Sequence, residues 1–127
     1  IVASAPGGAT EGLYVGAGTV MPYRDTADAT VAAWWDAYKA KFGSDPNIGA
    51  VYGTNTANLI ITALDKAGKD LTTEKFLKAL ESIQGYRDIF GGPVLNFGPD
   101  KHLGTNEVLL YQIQKGRFVQ IAGPLKY

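Results

Sequence analysis

Between Gly12 and Gly18 the chain reads GLYVGAG, a short apolar run with aromatic and β-branched residues and glycine at both ends, which predicts a buried strand. The next stretch, TVMPYRDT, is made irregular by Pro22. Either Asp25 or Thr26 can then cap a helix by accepting a backbone N–H. ADATVAAWWDAYKAKFG follows with Val31, Trp34, Trp35, Tyr38 and Phe42 at helical spacing and Gly43 as a left-handed stop. After the turn signal Asp45-Pro46-Asn47, Val51, Leu59, Ile60, Ala63, Leu64 and Ala67 form a second apolar stripe that ends at Gly68, with Gly49 and Gly53 loosening its first turns. A third helix is predicted in LTTEKFLKALESI. Thr72 is its cap, Glu74 sits in its first turn, and Phe76, Leu77, Leu80 and Ile83 lie on one side.

Beyond Gly85 the period changes from helical to alternating. PVLNF reads as a short strand and GPDKHLGTN as a turn-rich loop, while EVLLYQIQ and RFVQI form a hairpin across Lys115-Gly116. The order is strand, three helices, three strands, so the class is α/β. There is no regular strand–helix–strand alternation, although strands apolar on both faces need cover from both sides. The pattern therefore reads as part of a larger fold.

Composition narrows the function classes. With 127 residues, 46% of them hydrophobic, one domain with a real core is feasible. Twelve basic and twelve acidic residues cancel and no basic run occurs, which argues against nucleic acid or an anionic membrane as partner. No apolar run approaches the length of a bilayer span. The absence of cysteine removes disulfides, thiolate metal sites and a cysteine nucleophile. His102 is the single histidine, too few for a zinc site or a nucleophile triad, so no metal is expected. GAGTVM, from Gly16 to Met21, lacks the third glycine of a dinucleotide loop and runs into Pro22, so no cofactor is expected either.

The run AWWDAYKAKFGSDPNIGAVYGTNTANLIITALDKAGK, then EKFLKALESI, then GGPVLNFGPDKH and VLLYQIQKGRFVQI, resembles the C-terminal portion of type I periplasmic solute-binding proteins. Its nearest likeness is to the leucine/isoleucine/valine-binding receptors of branched-chain amino acid ABC transporters. EGLYVGAGTVMPY is similar to the strand and crossing that precede those helices in the family, so the likeness spans about Glu11 to Ile121. The resemblance implies two Rossmann-like lobes facing each other across a cleft, with chain segments crossing between them. On that basis residues 1–17 belong to the second lobe, 18–90 to a crossing and the helices of the first lobe, and 91–127 to the last crossing and the C-terminal hairpin of the second lobe. It further implies export to the periplasm or beyond, a small amino-acid-like or aromatic-acid solute, a membrane permease as partner, and no catalysis. Most of such a receptor would lie upstream of Ile1. A lone portion is expected to self-associate as a homodimer or exchanged assembly.

Four residues are candidates for contact with a solute. Tyr23 and Arg24 follow the first strand, where open α/β sheets place ligands, and would suit a carboxylate or an aromatic ring. Tyr52 and Asn55 lie near the start of the second helix, where packing or capping is the competing role. Gly18, Gly91, Gly92 and Pro93 are candidate hinge residues, since glycine absorbs backbone change and proline stops regular structure from running through. An enzymatic alternative would rest on Asp100, His102 and Glu107, or on Arg24 with Asp25, acting as acid and base.

Overall fold

The computed structural model describes residues 5–127; Ile1 to Ser4, the beginning of the stretch assigned to the second lobe, lie outside the described residues. A short 3-10 turn, Pro6–Gly8, leads to β1 (Tyr14–Ala17). Three helices follow, α1 (Ala29–Phe42), α2 (Ile48–Ala67) and α3 (Thr73–Glu81), and then the hairpin β2 (Glu107–Gln114) and β3 (Arg117–Lys126). The strands make one antiparallel sheet in the order β1-β2-β3. The chain is α/β as expected. The fifth expected segment, PVLNF, does not form a strand: its pairing reduces to a single bridge, Leu95 with Tyr86. Pro93 supplies no N–H, and Asn96 instead uses its side chain to accept from the Gly85 amide at 2.8 Å.

Helix boundaries follow the capping residues. The side chain of Asp28, not Asp25 or Thr26, accepts from the Val31 amide at 2.9 Å, so α1 starts later than expected. Asn47 caps α2 through the Ala50 amide and Thr72 caps α3 through the Lys75 amide. Gly43, at φ 70°, closes α1 in the left-handed conformation.

The helices and the sheet form separate bodies. Helices α2 and α3 lie side by side, and among the described residues no helix lays its backbone along the sheet. Val31 of α1, Val51 of α2 and Phe90 form the buried centre of the helical body, flanked by Val20, Met21, Ala27, Trp34 and Ile89. Trp35 is buried and Trp34 half-buried, its ring 4.7 Å from that of Phe90. In the sheet, Leu109, Tyr111 and Ile113 point to one buried face. The other face carries Tyr14, Val119 and Leu125 in the open, and β1 is accordingly an exposed strand rather than the buried one its composition predicts.

Candidate functional site

Where the chain passes from sheet to helices, Thr19 is buried. Its carbonyl accepts a hydrogen bond from the Tyr111 hydroxyl of β2 at 3.2 Å, and its own hydroxyl accepts from Asn55 Nδ2 of α2 at 3.3 Å. This buried threonine therefore couples the sheet to the helical body. Beside it opens a recess of about 130 Å³, lined by Val15, Ala17, Thr19 and Met21, by Ile48 and Tyr52 of the first turns of α2, and by Tyr111 and Phe118 of the hairpin. No lining residue carries a formal charge, and three of the eight are aromatic. Such a surface offers van der Waals contact and ring stacking but no counter-ion. Burial first, and then the nearby Asp88, Tyr23 and Tyr52, push the Tyr111 hydroxyl up to about 12, which keeps it a neutral donor.

The four candidate contact residues divide between different places. Tyr52 stands at the mouth of the recess, 49% exposed. Asn55 is turned inward, donating to Asp88 Oδ2 at 2.8 Å as well as to Thr19, and its Oδ1 is buried without a hydrogen-bond partner among the described residues. Tyr23 and Arg24 instead line a separate, charged groove with Trp35, Lys39, Asp45 and Arg117. There the Tyr23 hydroxyl accepts from the Phe118 amide at 2.8 Å, and its ring lies 4.8 Å beneath the Arg117 guanidinium. Arg24 makes a two-pronged pair with Asp36, both contacts 2.8 Å, which holds the Asp36 carboxyl below the usual range.

The hinge candidates also differ from one another. Gly91 has φ 79°, a left-handed conformation that glycine adopts freely. Gly92 and Pro93 are buried. The Asp88 carboxylate accepts from the amides of Phe90 at 2.8 Å and Gly92 at 3.1 Å, and a Cβ on Gly92 would come within 2.7 Å of Asp88 Oδ2. Gly18 has open space where a Cβ would stand and no left-handed φ. The sequence reading missed Asp88. Its signal was an acid four residues before Gly92, the spacing at which a side chain can cap a reversing backbone. The polar groups proposed for acid–base work are dispersed: His102 faces Glu81 at 3.4 Å, and Asp25 pairs with Arg117 rather than with Arg24.

The chain is α/β, and the uncharged recess is lined from both its helices and its sheet. Its residues 1–117 match the family described as periplasmic binding protein, and the chain belongs to that family. It is similar in structure to a branched-chain amino acid ABC transporter from Thermus thermophilus with bound valine. That match has a TM-score of 0.77 at 20% identity and covers 95% of this chain and 35% of the other. A leucine-binding protein from Thermotoga maritima matches with a TM-score of 0.64 at 18% identity, covering 91% and 31%. A solute-binding protein of an ABC transporter from Rhodopseudomonas palustris in complex with benzoate matches at 0.66 and 21%, covering 94% and 32%. The chain thus spans about one third of the length of these structures. At such identities the likeness establishes the fold. No curated protein sequence matches the chain. Among the described residues no helix is long and apolar enough to cross a membrane.

Proposed function

We propose that the chain is the C-terminal portion of an exported receptor, periplasmic or extracellular, that captures a small solute and presents it to an ABC permease in the membrane. In this reading β1, β2 and β3 belong to one lobe and the three helices to the other. The stretch that follows residue 17 and the stretch that begins at residue 91 carry the chain between them, and solute binding selects the closed arrangement. The observation that supports it is the recess lined by Tyr52 and Ile48 from the helical body and by Tyr111 and Phe118 from the sheet. A molecule seated there touches both bodies at once, which is what closure needs. Because the lining is uncharged, the recess receives the apolar or aromatic end of an amino-acid-like or aromatic-acid solute. The charged end is held by residues outside this chain. Taken alone, the chain self-associates, since apolar surfaces on both bodies have no cover.

Thermal shift tests the reading on a longer receptor that carries these residues. Valine, leucine or benzoate at one hundred times its dissociation constant raises stability by about 2.7 kcal/mol. Tyr52→Ala removes most of that gain, while the 127-residue chain alone shows none. A longer receptor that no amino acid or aromatic acid stabilises sinks the proposal.

A further inference from the structure

The segment between β1 and α1 is fastened to both bodies at once. Val20, Met21 and Ala27 pack against the buried centre of the helical body. Arg24 is bound to Asp36 of α1 by two contacts of 2.8 Å. Asp25 stands between Arg24 and Ala27 and therefore rides with the helices. Its carboxylate nonetheless reaches the other way, accepting from Arg117 Nη1 of β3 at 2.9 and 2.8 Å. The Arg117 guanidinium also covers the Tyr23 ring at 4.8 Å, and the Tyr23 hydroxyl accepts from the Phe118 amide at 2.8 Å. Tyr23 and Asp25 thus grip the start of β3, while Arg24 between them grips α1. Another ion pair of the same groove, Lys39 with Asp45 at 2.9 Å, stays within the helical body. The clasp on β3 lies next to the recess. Met21 borders both recess and groove, and Phe118, whose amide the clasp holds, is part of the recess wall.

We propose that Arg117 is a positioning residue for solute binding: its clasp on Asp25 and Tyr23 holds the two bodies in the arrangement that closes the recess, without touching the solute. This rests on the receptor reading above. Of the arrangements such a receptor exchanges between, the clasp stabilises the one in which both bodies line the recess, and so raises the population competent to hold solute. Neither Arg117 nor Asp25 lines the recess, so the effect is the same for every solute. The two side chains are 47% and 59% exposed, which keeps the effect modest and leaves it open to screening by salt.

Calorimetric titration of valine, leucine and benzoate into a longer receptor that carries these residues tests this, with circular dichroism to show that each variant folds. Arg117→Ala is expected to raise the dissociation constant of every solute that binds by one common factor, about three- to tenfold for an exposed ion pair and a cation over a ring. Asp25→Asn, which leaves the ring contact, raises it by less. The exchanged pair Asp25→Arg, Arg117→Asp recovers part of what either reversal alone loses, a rescue that a merely structural role would not give. Lys39→Ala removes an exposed ion pair within the helices and leaves the constants unchanged. Added salt weakens the binding of valine, which has no net charge of its own, in the native receptor and not in Arg117→Ala. Unchanged constants in Arg117→Ala, or an equal rise in Lys39→Ala, overturn the clasp and leave the receptor reading standing. Factors that differ among solutes overturn the action through closure and make Arg117 a contact residue. An exchange without recovery overturns the ion pair as the fastening. A longer receptor that binds none of the three solutes overturns the receptor reading, and the clasp with it.

Discussion

Single side chains decide how the junction between the two bodies is held. The Asp88 carboxylate gathers Asn55 and the Phe90 and Gly92 amides, and the space this leaves at Gly92 is smaller than a methyl group. Gly92→Ala is therefore expected to destabilise the chain by about 1–3 kcal/mol, the usual range for overpacking. Gly18→Ala, with open space around it, should stay within about 0.5 kcal/mol of the native chain. Urea titration of both variants separates the two candidate hinge glycines, and equal losses would contradict the assignment. Tyr111 gives a pH signature. Unfolded, its hydroxyl titrates near 10; folded, burial moves it up to about 12, so the folded state retains the proton. The stability this provides is whole below pH 10 and is lost as pH rises through 12. Melting temperature followed from pH 9 upward should fall less steeply in Tyr111→Phe than in the native chain. Some slope remains, because burial also raises Tyr86. At neutral pH the same variant loses the hydrogen bond to the Thr19 carbonyl, worth about 1 kcal/mol.

At the scale of elements, helix starts are set by which side chain reaches the free amides of the first turn. Asp28 does so for α1, whereas the Thr26 hydroxyl donates to the Tyr23 carbonyl at a long 3.4 Å. Asp28→Ala is expected to lower stability by about 1 kcal/mol and Thr26→Ala by clearly less, measured as the loss of helical circular dichroism on heating. The reverse order would restore the earlier start. This is where sequence reading meets its limit. The stripes of α1, α2 and α3, the cap Thr72 and the Lys115-Gly116 hairpin were all legible, because each rests on residues close along the chain, whereas Asn47, read only as part of a turn, proved to be the cap of α2. Which of three neighbouring polar residues caps α1 was not, since it depends on how the crossing delivers the chain. The open side of β1 was hidden for a related reason: composition marks a strand as apolar but does not say whether anything covers it. The recess was legible only through Tyr52. Thr19 lies far along the chain from Tyr111 and Phe118 of the hairpin, and only the antiparallel register of β1, β2 and β3 brings them to one place. Tyr23 and Arg24 lie in the segment between β1, which ends at Ala17, and α1, which starts at Ala29. The partners they take, Asp36, Arg117 and the Phe118 amide, lie far along the chain.

Across the whole molecule, among the described residues no helix packs its backbone along a strand, and a few polar ties join the two bodies. One tie is buried, Tyr111 to Thr19, and another is the exposed clasp of Arg117 with Asp25 and the face of Tyr23, at 2.8 Å and 4.8 Å. A receptor that closes on a solute needs such an arrangement. The bodies must stay rigid while the junction gives, and that requires weak coupling between them relative to the cohesion within each. The arrangement has an equilibrium consequence that can be measured without any solute. Trp34 packs on Phe90 at the centre of the helical body, so its fluorescence, read in a Trp35→Phe background because Trp35 lines the groove with Arg117, follows that body, while amide exchange of β2 follows the sheet. Weak coupling predicts that the two probes give different urea midpoints, a departure from all-or-none unfolding. Arg117→Ala should widen the gap by removing the exposed clasp. Added salt should act in the same direction, because an ion pair open to solvent is screened. Coincident midpoints in the native chain, unchanged by Arg117→Ala, would instead mean that the buried tie at Thr19 fuses the bodies into one cooperative unit, leaving the junction too stiff for closure.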